Sequence, residues 1–149
     1  YFAMRDDARI LLFTGDLGFG LLDNHKRDFP ERFINAGAAE QCLVGAAIGA
    51  AMSGRIPFVY SITSFLLYRP FEWIRNYVQH ERVPVRLVGS GLDDDYKHDG
   101  ITHHAFDARQ VLALFPAIKT HFPQEREELA SIVPAMVSDN VPSFLCLRR

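Results

Sequence analysis

An alternation that runs the length of the chain limits the fold more than any other feature. Six short runs rich in β-branched and aromatic residues recur, at Ile10–Thr14, Arg32–Asn35, Ile56–Thr63, Val85–Gly89, Ala117–His121 and Pro142–Arg148. Longer segments of helical composition lie between most of them. Ala39–Ser53 is rich in Ala, Leu and Met, and Gly54 is a natural stop for it. Phe65–Arg82 carries Phe71, Ile74, Tyr77 and Val78 on one stripe, with a turn or kink expected at Pro70. Phe106–Phe115 groups Val111, Leu112 and Leu114. Gln124–Ser138 opens with Glu125, Glu127 and Glu128, an acidic first turn that suits the positive end of a helix. Strands that alternate with helices call for an α/β fold. We expect a doubly wound, mainly parallel six-stranded sheet with helices on both faces, joined by right-handed crossovers.

The chain has 149 residues, about one domain's worth. With 48% hydrophobic and 23% charged residues, a disordered chain is excluded. A net charge of −2 supplies no general attraction to nucleic acid or to an anionic membrane, and neither is expected as a partner. The most apolar run, around Ala46–Met52, falls far short of the ~20 residues of a spanning helix. The first residues do not read as a signal peptide, and a sequence that begins at Tyr1 implies a start further upstream. Cys42 and Cys146 sit in apolar runs and match no metal or redox spacing. We expect both to be buried free thiols in a reducing compartment, which fits a cytoplasmic location.

The one long polar interruption is Ser90–His104, with four aspartates, three histidines, Lys97 and two glycines. Loops after strand C-termini form the ligand crevice of a doubly wound sheet, so this loop is the first place to seek substrate contacts. Asp93, Asp94, Asp95, His98, Asp99, His103 and His104 have the chemistry of metal ligands, but their spacing fits no standard site. A solvated acidic loop is the better reading for the three aspartates. Gly15-Asp16-Leu17-Gly18-Phe19-Gly20 follows a strand but lacks the glycine order of a phosphate-binding loop, so a structural turn fits it better. Gly45 and Gly49 read as a close helix-packing pair. Glu40 stands out at the head of the most apolar helix. It is either an exposed first-turn carboxylate, favoured by the helix dipole, or a buried one and therefore a functional candidate.

Several segments resemble one family in order and spacing. Arg32-Phe33-Ile34-Asn35-Ala36-Gly37-Ala38-Ala39-Glu40-Gln41 resembles the RFxNxGIAEQ signature of the pyrimidine-binding domain of the transketolase superfamily. Gly54-Arg55-Ile56-Pro57-Phe58-Val59 resembles its next strand. Ser61 to Phe65, with Arg69, Phe71-Glu72 and Ile74-Arg75-Asn76, is similar to its TFxxF…RAFEQIRN segment. Asp99-Gly100-Ile101-Thr102-His103 resembles EDGxTH, and Val141-Pro142-Ser143 to Arg149 resembles its last strand. Split transketolases and deoxyxylulose-phosphate synthases are the relatives this pattern points to.

The resemblance implies that the domain binds the aminopyrimidine ring of thiamine diphosphate, with Mg2+ held by a partner chain. Glu40 would hydrogen-bond the ring nitrogen N1′. The 4′ nitrogen could then take the proton from thiazolium C2, which attacks a ketose or 2-oxoacid carbonyl. Phe65 would pack on the pyrimidine, with Ile62, where the family usually has Phe, and Tyr68 as further walls and Asp16 near the cofactor. Asp99 and His103 would contact substrate hydroxyls, and Arg149 would anchor a phosphate. Glu40 and His103 are thus the implied catalytic residues, and no metal ligand is expected in this chain. One departure is the stretch Gly89-Ser90-Gly91-Leu92 before the triple aspartate, which replaces a His-containing segment and puts negative charge at the donor-site mouth unless Arg or Lys compensates.

Residues 1–149 then form a single pyrimidine-binding domain, with the diphosphate-binding and C-terminal domains outside this chain. The implied function is transfer of a two-carbon ketol unit by an enzyme active only with a diphosphate-binding companion. Self-association through pyrimidine domains is implied too, with Ala39–Ser53 as a candidate contact. Two alternatives remain: the small subunit of a split 2-oxoacid decarboxylase, and a non-catalytic interaction domain of the same fold.

Overall fold

A computed structural model describes residues 1–148; Arg149, the expected phosphate anchor, lies outside the described residues. In chain order the main elements are α1 (Phe2–Asp6), β1 (Ile10–Thr14), α2 (Asp23–Asp28), β2 (Phe33–Asn35), α3 (Glu40–Met52), β3 (Ile56–Ile62), α4 (Thr63–Tyr68), α5 (Phe71–Trp73), β4 (Arg86–Ser90), α6 (Ala108–Ala113), β5 (Lys119–His121), α7 (Leu129–Ser138) and β6 (Ser143–Leu147). The six strands form one sheet in the order β2-β1-β3-β4-β6-β5, and every pairing is parallel. The expected doubly wound sheet is present, and each of the six strand-like runs contributes one strand.

Strand residues alternate between two cores, as the period of two requires. Phe13, Val59, Leu87 and Phe144 pack under Leu43, Val44 and Ala47 of α3, Leu66 and Leu67 of α4, and Leu112 of α6. Tyr60, Val88 and Leu145 face the other way, onto Met136 of α7. Met4 of α1 closes that second face with Ile10 and Ile56. Connections leave β1 toward β2 on one side and reach β3 on the other. The crevice at the C-terminal ends of β1 and β3 is therefore a topological switch point, where open α/β sheets place their ligands.

Some expectations need adjusting. The kinked helix over Phe65–Arg82 is three pieces: α4, α5 begun by the buried Pro70, and a π-helical turn at Ile74–His80 in which the Glu81 N–H reaches the Asn76 carbonyl. The last helix starts with a 3₁₀ turn, Arg126–Glu128, fixed by a reciprocal Glu125–Glu128 capping box. α2 is a short polar helix with no buried residue, so it leaves no apolar periodicity to read. Cys146 is buried and its thiol is pushed up to about 11 by that burial, but Cys42 is exposed. Position 42 falls on the outer face of α3, away from the Leu43, Val44 and Ala47 stripe, and an apolar sequence neighbourhood could not show that.

Arg86 is the least expected core residue. Only 2% exposed in β4, it donates through Nε to the Met136 carbonyl (2.8 Å), through Nη2 to the Asp139 carbonyl (2.7 Å) and through Nη1 to the Pro84 carbonyl. It thereby caps the C-terminal carbonyls of α7, where positive charge is favoured. Arg86→Met should leave these carbonyls without a donor and destabilise the fold by about 2–4 kcal/mol. Urea unfolding checks this, and an unchanged midpoint would contradict the capping role.

Candidate functional site: a buried carboxylate at the switch point

Glu40, the first residue of α3, is 1% exposed. The buried residues of α3 include Leu43, Val44 and Ala47, at i+3, i+4 and i+7 from Glu40, so the core-facing stripe of the helix carries the carboxylate inward with it. The exposed first-turn reading is thereby excluded. The Ser61 hydroxyl, near the end of β3, donates to Glu40 Oε1 at 2.8 Å. Arg69 Nη1 donates to Oε2 at 2.6 Å. Gly15, just after β1, leaves room beside them: a Cβ there would come within 3.1 Å of Ser61 Oγ and 3.2 Å of Glu40 Oε1. A carboxylate removed from water requires donors of this kind, since several kcal/mol of solvation are lost on burial.

The second wall comes from α4. Phe65, Tyr68 and Arg69 share one face by their i, i+3, i+4 spacing. The Arg69 guanidinium carbon lies 3.7 Å from the Phe65 ring centroid, a close cation–π contact. His103 meets Phe65 edge-on at 4.8 Å between ring centroids. The loop that carries His103 is tied to α4, because Ser64 Oγ donates to the Thr102 carbonyl at 2.7 Å. Thr102 Oγ1 also lies 3.0 Å from His103 Nδ1. On its other side His103 faces Tyr96 at 6.2 Å, whose hydroxyl lies 2.7 Å from Ser90 Oγ. Gly91 (φ 82°) makes this possible, since a Cβ there would stand 2.4 Å from the Tyr96 ring.

The expected site residues divide accordingly. Glu40, Phe65 and His103 are brought together, linked through Arg69 and the Phe65 ring. Ile62 is the half-buried last residue of β3, next to Ser61. Tyr68 is exposed, and partial burial with the nearby Asp107 carboxylate pushes its phenol up to about 12. Asp16 is an exposed turn residue at φ 58°, and its carboxylate accepts from Asn35 Nδ2 at 3.0 Å. Asp99 is exposed on a one-turn helix ahead of His103. His104 packs edge-on against Phe106 rather than Phe65.

Sequence reasoning passed over two members of this site. Ser61 and Arg69 both lie within the family-like segments, but only the fold turns them onto Glu40. The acidic loop also differs from a purely solvated one. Arg148 pairs with Asp95 at 2.8 Å and stands 3.6 Å from Asp93, so a cation offsets two of the three aspartates. Among the described residues no group of three or more His, Cys, Asp or Glu side chains converges as a metal site. No helix among them is long and apolar enough to cross a membrane.

The fold and site define a doubly wound α/β domain with one buried carboxylate at the switch point of its sheet. Residues 2–149 match the family described as transketolase, pyrimidine binding domain, and the chain belongs to that family. It is 28% identical over 123 residues to a putative transketolase C-terminal section from Methanocaldococcus jannaschii, covering 83% of this chain and 39% of that protein. It is 30% identical over 121 residues to an apulose-4-phosphate transketolase subunit from Actinobacillus succinogenes, covering 81% of this chain and 39% of that one. Among solved structures it superposes on a split-gene transketolase described as an inactive beta4 tetramer, with a TM-score of 0.84 and 26% identity over 98% of this chain and 47% of that chain. A Campylobacter jejuni transketolase shares the fold, at TM-score 0.86 and 19% identity, over 97% of this chain and 23% of that one. The chain thus spans less than half the length of each of these relatives.

Ser61→Ala should remove the donor from Glu40 Oε1 where water does not reach. A hydrogen bond to a charged group is worth about 1.5–3 kcal/mol, and a loss of that size is expected in chemical unfolding. An unaltered unfolding curve would show that Oε1 has another donor.

Proposed function

We propose that this domain supplies the pyrimidine half of a thiamine-diphosphate site in a transketolase-like enzyme that transfers a two-carbon ketol unit. The buried Glu40 carboxylate beside the Phe65 face carries this reading. The surroundings fit a planar nitrogen heterocycle: an acceptor kept from water, an aromatic platform, and a glycine where any side chain would crowd the carboxylate. When bound, the cofactor supplies an electron sink at its thiazolium carbon. Glu40 holds a ring nitrogen and exchanges a proton with it, and the apolar helix behind it keeps competing water out. Phe65 fixes the ring plane, flanked by Ile62 and Tyr68, with Asp16 at the rim. His103, held between Phe65 and Tyr96, donates to a substrate hydroxyl, and Asp99 and Arg149 complete the substrate contacts.

The diphosphate and its Mg2+ belong to a companion chain or domain. Four exposed large apolar side chains, Phe19 and Leu21 after β1 and Ile101 and Phe106 after β4, rim this end of the sheet. Such a rim suits closure by a protein surface. The outer face of α3, with Cys42, Ala46, Gly49 and Met52 exposed, supports self-association as well, and one structural relative is described as a tetramer. A cytoplasmic setting fits the free thiols Cys42 and Cys146.

The chain and its companion, once assembled, should transfer ketol units from a ketose donor, and neither should do so alone. Turnover by this chain alone would overturn the division of labour. In the assembled pair, His103→Ala should lower kcat/KM about five- to hundredfold, the cost of a substrate hydroxyl left without its partner. His104→Ala should do less, and the reverse order would assign the pocket to His104. Sedimentation of this chain at high concentration should show dimers or larger species, and a clean monomer would exclude the α3 contact.

A further inference from the structure

Arg69 makes two contacts that stand out because of what else should make them. Its guanidinium carbon sits over the Phe65 ring, 3.7 Å from the centroid, and its Nη1 donates to Glu40 Oε2 at 2.6 Å. A planar, N–H-donating group stacked on that aromatic ring and bonded to that carboxylate is the description of the ring assigned to this site. The two partners differ sharply in freedom. Glu40 is 1% exposed and anchored by Ser61, whereas the Arg69 side chain is 43% exposed. It is the C-cap residue of the short α4, beside Pro70, and solvent lies open to it.

We propose that the Arg69 guanidinium is a resident stand-in for the ring. It satisfies Glu40 and covers Phe65 while the site is open, and it must leave both before a ring can take them. This rests on the reading of Glu40 and Phe65 as the ring site. Two physical needs are met at once. Glu40 Oε2 is never without a donor of its own, which would be costly for a carboxylate removed from water. The apolar ring face is never bare. Exchange moves one flexible side chain into solvent and leaves the core untouched. The arrangement also sets the ligand chemistry: the entrant has to be flat and carry an N–H or ring nitrogen edge that meets a carboxyl group in either protonation state. Ring affinity is therefore lowered by whatever Arg69 gives up, a cation–π contact together with one charge-assisted hydrogen bond.

The test uses the full chain and 4-amino-5-hydroxymethyl-2-methylpyrimidine as the probe, followed by calorimetry and by NMR of the arginine side chains. In the wild-type chain the Phe65 ring current should displace the Arg69 side-chain signals, and saturating probe should return them to the position of exposed arginines. Arg69→Met should bind the probe about three- to thirtyfold more tightly, the scale of the released cation–π contact. Arg69→Lys, which keeps the charge without the flat face, should fall between the two. Arg69 signals that stay put at saturation while those of Phe65 move, or weaker binding by Arg69→Met, would show that the arginine remains in the loaded site, and would overturn the proposal. Should Arg69→Met fail to fold, the wild-type NMR shifts decide alone. Glu40→Gln separates the two layers. If it leaves probe binding unchanged, the ring site itself is misassigned and the proposal falls with it. If it weakens binding while Arg69→Met does not strengthen it, the site stands and only the stand-in role is lost.

Discussion

The burial of one carboxylate organises this molecule. Taking Glu40 out of water at the head of an apolar helix is unfavourable by several kcal/mol unless donors replace the lost hydration. Ser61 and Arg69 do so from two different elements, one at the end of β3 and the other at the end of α4. Their positions are in turn fixed by packing: Ser61 lies in register with Gly89 of β4, and α4 presses Leu66 and Leu67 into the main core. The buried carboxylate and the core therefore share one set of constraints, and a displacement of α3 or α4 would be felt at the carboxylate.

The sheet order explains why these elements meet where they do. β1 lies between β2 and β3, so the loop after β1 and the helix after β2 open onto the same edge. The chain uses its small residues there. Gly15 leaves space next to the carboxylate, and Gly91 lets the Tyr96 ring fold back toward His103. Arg148, emerging from β6, draws Asp93 and Asp95 onto the same loop. An acidic stretch that would repel an anionic ligand is thereby partly neutralised by the chain itself.

Much of this was legible in the residues. The six strands stood out because short β-branched runs bounded by turn residues have few other uses. Glu40 stood out because a charge at the start of so apolar a helix needs a reason. What could not be read were the partners. Arg69 could be read only as part of a family-like segment, since a contact with Phe65 and a bond across 29 residues depend on the angle between α3 and α4. Arg86 was hidden for the same reason: its acceptors are backbone carbonyls, which carry no sequence signal. Cys42 misled because local composition does not say which side of a helix faces out. The π-helical turn at Ile74–His80 keeps a helical stripe, so periodicity alone could not separate it from an α-helix.

The central claim is that Glu40 is the group that activates a bound cofactor. Hydrogen–deuterium exchange at C2 of thiamine diphosphate, measured by NMR in the assembled enzyme, reports that step apart from substrate chemistry. Replacing Glu40 by Gln keeps shape and a hydrogen bond but removes the group that can exchange a proton with the ring nitrogen. The exchange rate should drop by about two to four orders of magnitude, the scale of losing a positioned acid–base group, with the fold intact. A rate equal to that of the unaltered enzyme would contradict the account, because the buried carboxylate would then have no part in activating the cofactor.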